Sequence, residues 1–304
     1  VGRAPARGAR LLAPAKLNLG LRIVGRRPDG LHELESVFAP LDLTDELALA
    51  VEPGRRAEVL LRVSGSAGGV PSDARNLAFR AAQSFLDAAG LEARVRIALR
   101  KRVPAAAGLG GGSSDAGAVL RALAARFPEA VAGERLVELA LRLGADVPFF
   151  LDPRPALVTG VGERREPLPG RLPALPVLLA NPGAPLATAE VFAAAAARAP
   201  ERAAADPVAK LWREALAGPA EALASRIGPL LANDLEPAAE ALCPALAKLR
   251  AELRAAGAPA VGLSGSGATL YGVFESPESA AAALRRLRAP AGAWLRLART
   301  LEAG

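Results

Sequence analysis

The sequence predicts a two-domain α+β protein, and three observations carry that prediction. Runs with a period of two, such as residues 17–24 and 94–100, stand apart along the chain from runs with helical spacing, such as 77–86 and 116–123. A proline-dense stretch beginning near residue 165 interrupts the pattern. The 304 residues, 51% of them hydrophobic, suffice for two cores of ordinary size.

The elements follow in order. In "LNLGLRIV" (17–24) Leu17, Leu19, Leu21 and Ile23 fall on one face, and Lys16, Asn18, Gly20 and Arg22 fall on the other. This predicts a strand with Lys16 and Asn18 side by side on its polar face. "RRPDGLH" (26–32) has the Pro and Asp-Gly of a turn. Strands are predicted at 46–53 and 57–63, then a loop at 64–74 and a helix over 76–90 that stops at Gly90. A strand with one wet face follows, alternating Val95, Ile97 and Leu99 with Arg96, Ala98 and Arg100. Ala116, Val119, Leu120 and Leu123 then recur at amphipathic-helix spacing, and another helix is predicted at 134–143. "REPLPGRLPALPVLLANPGAPL" (165–186) carries six prolines and predicts a domain junction plus one buried strand at 177–180. The alanine-rich segment 193–205 reads as a surface helix or a loop. Helices are expected near 207–217, 219–227, 244–256 and 277–289, with a strand, Gly-Ser turn and strand at 260–276.

Composition excludes some classes of function. The formal charge is +7, but the arginines are scattered and aromatic residues make up only 4%, a pattern unlike that of a nucleic-acid binder. Cys243 is the single cysteine, so no internal disulfide forms. No apolar span is long enough for a membrane helix, and the N-terminal stretch has no signal-peptide core. The expectation is a cytoplasmic protein without nucleic-acid or membrane partners.

Three features carry chemistry. "GLGGGSSDAG" (108–117) joins a predicted strand to a predicted helix. It is neither a Walker loop, since no Lys follows the glycines, nor G-x-G-x-x-G, since Ser113 stands at the third position. Glycines at positive φ and a helix N-terminus nevertheless suit an anion. By itself such a loop is equally a tight turn with a Ser/Asp cap. "LSGSGAT" (263–269) is by itself a hairpin turn, but two such loops suit a nucleotide enclosed from two sides. Asp146, in "LGADVPFF", sits among apolar residues where a carboxylate needs a partner, and Lys16 would serve. Such a pair can take a proton from a hydroxyl and stabilise the oxygen charge left behind. Asp146 alone is equally a helix-terminus cap.

"PAKLNLGLRIVGRRPDGLHELESVF", "VPAAAGLGGGSSDAGAVL", "LGADVPFFL" and "GLSGSGATLYGVF" occur in this order, with "NLAFRAA" and "ANDLEP". Together they resemble the GHMP kinase superfamily over nearly the whole chain. The stretch "PAKLNLGL…RRPDGLHELES" narrows the resemblance to the branch acting on a cytidine-diphosphate-linked methylerythritol in non-mevalonate isoprenoid precursor biosynthesis.

The resemblance implies an ATP-binding domain over 1–168, like the second domain of ribosomal protein S5, and a ferredoxin-like domain over 169–304, with the active site in the cleft between. It implies ATP with Mg²⁺ as phosphate donor and a small-molecule acceptor, handled by a monomer or homodimer. Asp146 matches the catalytic base and Lys16 its cationic partner. Pro104, Ala105, Ala106 and Ala107, with Gly108, Leu109, Gly110, Gly111, Gly112, Ser113 and Ser114, would embrace the ATP phosphates, and Asn76 would lie near the nucleotide base. Asn18, Thr188 and Phe192 match the substrate side; Gly265, Ser266 and Gly267 belong with them and close the phosphate site. His32, the single histidine, matches the residue that reads the cytosine edge; outside this motif it would be an ordinary surface or core residue. Leu31 stands where the family commonly has Tyr, so an apolar lid replaces a stacking ring, a difference of about 0.5–1.5 kcal/mol. The rival readings are a GHMP kinase for homoserine or a mevalonate-type acceptor, a non-catalytic nucleotide-binding regulator on the same scaffold, and an Arg-rich nucleic-acid binder, which predicts salt-dependent binding to generic DNA or RNA.

Overall fold

The computed structural model describes residues 9–65, 69–196, 207–219 and 222–302. Two compact units are distinguished: one comprises residues 1–15, 43–105 and 110–153, the other 16–42, 106–109 and 154–304. The chain passes between them within its first two strands, β1 (Ala9–Arg26) and β2 (His32–Pro53).

In the first unit the end of β2 pairs antiparallel with β4 (Ala93–Lys101), from Glu46 opposite Arg100 to Pro53 opposite Ala93. β4 pairs in parallel with β3 (Glu58–Gly65), and α1 (Leu77–Ala89) lies between those two strands in sequence. α1 begins and ends as its sequence demands. The Asn76 side chain caps Ala78 N, and Gly90 takes the left-handed conformation at φ 62°. The helices α1, α2 (Gly111–Arg126) and α3 (Glu134–Leu143) share a core with the sheet: Leu47, Leu49, Val95, Ile97 and Leu99 meet Phe85, Leu86, Val119, Leu120 and Leu123. The opposite, wet face holds ion pairs between neighbouring strands, Arg94–Glu58 at 2.6 Å and Arg96–Glu52 at 3.1 Å.

In the second unit β1 and β2 form a hairpin across the predicted Pro-Asp-Gly turn, where Gly30 has φ 87° and Asp29 Oδ1 accepts from Leu31 N. The start of β2 pairs with β5 (Ala156–Gly160), which pairs with β6 (Arg164–Pro167). The rest is a β-α-β-β-α-β arrangement with a four-stranded antiparallel sheet in the order β10-β7-β9-β8, the ferredoxin-like motif. These strands are β7 (Pro176–Asn181), β8 (Ala260–Leu263), β9 (Leu270–Val273) and β10 (Trp294–Arg299). Six helices accompany it among the described residues: α4 (Thr188–Ala196), α5 (Val208–Leu216), α6 (Leu223–Ile227), α7 (Glu236–Leu242), α8 (Ala245–Ala255) and α9 (Pro277–Arg286). Its core joins Leu178, Leu263 and Leu270 to Leu235, Leu246, Leu249 and Leu253.

Two expectations need correction. The strand at 17–24 has no wet face around Lys16 and Asn18: every residue from Ala13 to Leu21 is buried. The helix expected over 219–227 is short, its described part being α6 at Leu223–Ile227. Of the alanine-rich 193–205 segment, residues 193–196 end α4, and 197–205 lie outside the described residues. No helix among the described residues is long and apolar enough to cross a membrane.

Candidate active site

The Gly-rich loop leaves β4 and enters α2. Ala106, Gly108 and Gly110 have φ of 51°, 74° and 68°. Left-handed residues interspersed in this way turn backbone N–H groups toward a common point, the concavity that takes an anion. Two of the glycines also have a local reason. A Cβ at Gly108 would lie 2.5 Å from Ser264 O, and one at Gly111 would lie 2.9 Å from Val103 Cγ1. Gly112 is exposed and Ser113 half-buried, whereas Ser114 is buried and its Oγ has no hydrogen-bond partner among the described residues.

Beneath the start of α2 lies a cluster that the sequence reading passed over. Lys101 Nζ bonds to Asp45 Oδ2 and to Asp115 Oδ2, the latter at 2.7 Å, and all three side chains are buried. Asp45 Oδ1 accepts from Arg102 N at 2.5 Å and Val103 N at 2.9 Å, fixing the exit of β4. The signal was present: alternation through Val95, Ile97 and Leu99 puts position 101 on the buried face, where a lysine needs carboxylate partners. Burial pushes the Asp115 carboxyl up to about 7, against the attraction of Lys101. The folded state therefore binds a proton here that the unfolded chain has released above its ordinary carboxylate range. This contribution to stability is present at low pH and is lost as pH rises through about 7. Asp115→Asn keeps an acceptor for Lys101 and removes the titration. Thermal melts between pH 5 and 8 are expected to show the variant gaining on the wild type as pH rises. A constant difference would contradict the assignment.

Asp146 occupies the N-cap position of a 3-10 turn, Val147–Leu151, but its side chain makes no capping hydrogen bond. The simple capping role weighed for it is thus not the one it plays. α2 supports this turn closely. A Cβ at Gly117 would stand 2.5 Å from Phe150 Cβ, and Arg121 Nη1 donates to Phe150 O at 2.6 Å. The helix that opens at the Gly-rich loop therefore also bears the Asp146 turn on its flank, within one unit.

In the second unit, β1 brings Lys16 and Asn18 together as the alternation predicts. Lys16 Nζ donates to Asn18 Oδ1 at 2.5 Å and stands 4.3 Å from the centre of the Phe38 ring. Asn18 Nδ2 donates to Ser36 Oγ at 3.1 Å, and Tyr271 Oη donates to Asn18 O at 2.7 Å. Asn18 N donates to Ser264 Oγ at 3.3 Å, and that hydroxyl donates to Gly108 O at 2.9 Å. The second Gly-Ser turn thus meets both the strand and the first Gly-rich loop. A Cβ on Gly265 would lie 3.3 Å from Asn18 Oδ1, so this glycine leaves the space above the Lys–Asn pair open. Ser266 Oγ and Thr188 Oγ1 are 2.9 Å apart, and Thr188 starts α4. One helical turn on, Phe192 stacks on His32 with ring centres 5.1 Å apart and an interplanar angle of 27°.

Two predicted site residues are placed differently from the rest. Leu31 is 52% exposed at the hairpin turn. Asn76 spends both ends of its amide on structure, accepting from Ala78 N and donating to Pro71 O.

The fold and these loops define a class. Residues 76–152 match the family "GHMP kinases N terminal domain", and residues 213–292 match "GHMP kinases C terminal". A homoserine kinase structure from Cytophaga hutchinsonii shares the fold, with a TM-score of 0.70 at 19% identity. Within that class the similarity narrows. The chain is 44% identical over 283 residues to the 4-diphosphocytidyl-2-C-methyl-D-erythritol kinase of Thermus thermophilus, covering 93% of this chain and 94% of the relative. It is 38% identical over 293 residues to the enzyme of that name from Citrifermentans bemidjiense, covering 96% and 98%. A crystal structure of 4-(cytidine 5'-diphospho)-2C-methyl-D-erythritol kinase aligns with a TM-score of 0.75 at 41% identity, over 97% of this chain and all of the other. The chain belongs to the 4-diphosphocytidyl-2-C-methyl-D-erythritol kinase family of GHMP kinases, and is an ATP-dependent phosphotransferase with an alcohol acceptor.

Proposed function

We propose that this chain transfers the γ-phosphate of ATP to the 2-hydroxyl of 4-diphosphocytidyl-2-C-methyl-D-erythritol, giving the 2-phosphate and ADP, in the cytoplasm. The observation that carries the reading is the stretch Lys16–Ser36, with the Lys16–Asn18 pair at one end and the His32–Phe192 stack near the other. The names of the relatives at 38–44% identity support it.

Phosphoryl transfer asks a protein for positioning and charge stabilisation more than for covalent chemistry. The donor would enter as MgATP, the cation offsetting part of the phosphate charge. The backbone amides of 106–112, the Ser113 hydroxyl and the N-terminus of α2 receive the phosphates. Asp146 accepts the proton of the acceptor hydroxyl, and Lys16 stabilises the oxygen as it attacks. Asn18 Oδ1 orients the Lys16 ammonium. On the substrate side, His32 offers ring nitrogens to a cytosine edge and Phe192 a face for the base. Leu31, exposed at the hairpin turn, offers an apolar side chain to the base beside His32. Ser266 and Thr188 supply hydroxyls beside the Gly-Ser turn.

The test follows ADP release with MgATP and each acceptor in turn. The expected result is turnover with the cytidine-diphospho substrate and none with homoserine or mevalonate. Turnover with homoserine alone would overturn the assignment.

A further inference from the structure

We propose that Asn233 is a positioning residue for phosphoryl transfer: its side-chain amide locks the Gly-Ser turn at 263–267 against the strand that carries Lys16 and Asn18. The proposal rests on the function proposed above, in which that turn closes the phosphate site.

Asn233 lies in "ANDLEP", whose polar residues take no part in the chemistry outlined so far. The segment runs alongside β1. Leu21 N donates to Ala232 O at 3.0 Å, Asp234 N donates to Leu21 O at 2.9 Å, and Asp234 Oδ2 accepts from Ile23 N at 2.8 Å. Gly20, with φ 82°, permits the approach: a Cβ there would stand 2.1 Å from Leu230 O. Behind the segment, Glu236 is held by Arg250, with Nη2 to Oε1 at 2.6 Å.

From this anchored backbone Asn233 reaches the turn. Its Nδ2 donates to Leu263 O at 2.9 Å and to Gly265 O at 2.8 Å, while its Oδ1 accepts from Leu235 N at 2.9 Å. Both amide hydrogens are thus spent on the two sides of one turn, and the side chain is buried. Few side chains could replace it. The pair of carbonyls needs two donors at one point, and the Leu235 amide needs an acceptor beside them. A neutral amide supplies all three at this spacing. On its other side Ser264 Oγ bridges Asn18 N and Gly108 O, and Ser266 Oγ meets Thr188 Oγ1 at 2.9 Å.

The consequence for catalysis is geometric. Gly265 faces the Lys16–Asn18 pair, and the space for its absent Cβ lies 3.9 Å from Lys16 Nζ. A turn released from Asn233 shifts relative to the lysine that stabilises the attacking oxygen. A displacement of about 1 Å at such a point costs on the order of 10²-fold in rate. Asn233 touches no reacting atom and acts through the turn.

The experiment compares wild type, Asn233→Ala, Asn233→Asp and Leu253→Val. Leu253→Val trims the core of the same unit without touching the Asn233 hydrogen bonds and sets how activity follows stability. Asn233→Asp keeps the acceptor for Leu235 N but sets an oxygen against the Leu263 and Gly265 carbonyls, and melting curves check that both Asn233 variants fold. Both Asn233 variants are expected to lose kcat on the order of 10²-fold with KM values within about threefold. Hydrogen exchange in the peptide spanning 263–269 should accelerate in both. Leu253→Val should lower the melting temperature and leave kcat nearly unchanged. Wild-type kcat in the Asn233 variants, a loss no larger than that of Leu253→Val, or unchanged exchange in 263–269 would each overturn the role. A wild-type enzyme that turns over no acceptor overturns the proposed function and this role with it. An active wild type beside an equally active Asn233→Asp overturns the role alone.

Discussion

Asp146→Asn is expected to lower kcat by about 10²–10⁴-fold, the range for a general base in proton transfer, while MgATP binding stays near the wild-type value. The asparagine is isosteric and can still orient the hydroxyl, but it cannot take the proton. Folding should survive the change, because the asparagine keeps the shape of the side chain. The turn itself is secured by Val147, Pro148, Phe149 and Phe150, all buried, and by the Arg121 bond to Phe150 O. Single-turnover rates with saturating MgATP, together with a binding titration of a non-hydrolysable ATP analogue, separate the two effects. Equal losses of binding and rate would make Asp146 a structural residue.

Lys16→Met is the second large effect. The methionine fills nearly the same volume beside Phe38, whose ring centre lies 4.3 Å from Nζ. In the proposed mechanism, removing the ammonium takes away the charge that meets the attacking oxygen, and mutations of this kind cost about 10²–10³-fold in kcat. Lys16→Arg is not expected to rescue. Nζ is enclosed by Asn18 and Phe38, the side chain is 3% exposed, and a planar guanidinium needs a wider site. Circular dichroism and melting curves establish that both variants fold. A Lys16→Met enzyme with wild-type kcat would remove the residue from the site.

How much of this was readable in advance varies by residue. The strand–loop–helix path of 93–126 was legible, because β4 alternates cleanly and α2 keeps helical spacing behind its glycines. The adjacency of Lys16 and Asn18 was legible for the same reason. Their burial was not, since a period-two pattern marks two faces without saying that both are covered. The 22-residue length of β2 was hidden in the same way: Val37, Phe38, Ala39 and Leu41 are all buried, and Pro40 interrupts the run. β5 and β6 are short, and α7 spans only seven residues with a proline in its first turn, too few for a period to show. β10 keeps some alternation in "WLRLAR" but contributes few deeply buried residues. His32 and Phe192 were named by resemblance alone, 160 positions apart, and only the folded chain stacks their rings. Asn233 stood inside a quoted motif, yet its targets are backbone carbonyls, which carry no sequence signature.

The measurement that tests the central claim most directly is the structure of the product. The enzyme, MgATP and 4-diphosphocytidyl-2-C-methyl-D-erythritol are incubated together, and the product is analysed by phosphorus and proton NMR. The predicted result is one new phosphomonoester on the 2-oxygen of the methylerythritol unit, formed in step with ADP. Phosphate on another hydroxyl, or none on this substrate while homoserine or mevalonate is phosphorylated, would contradict it.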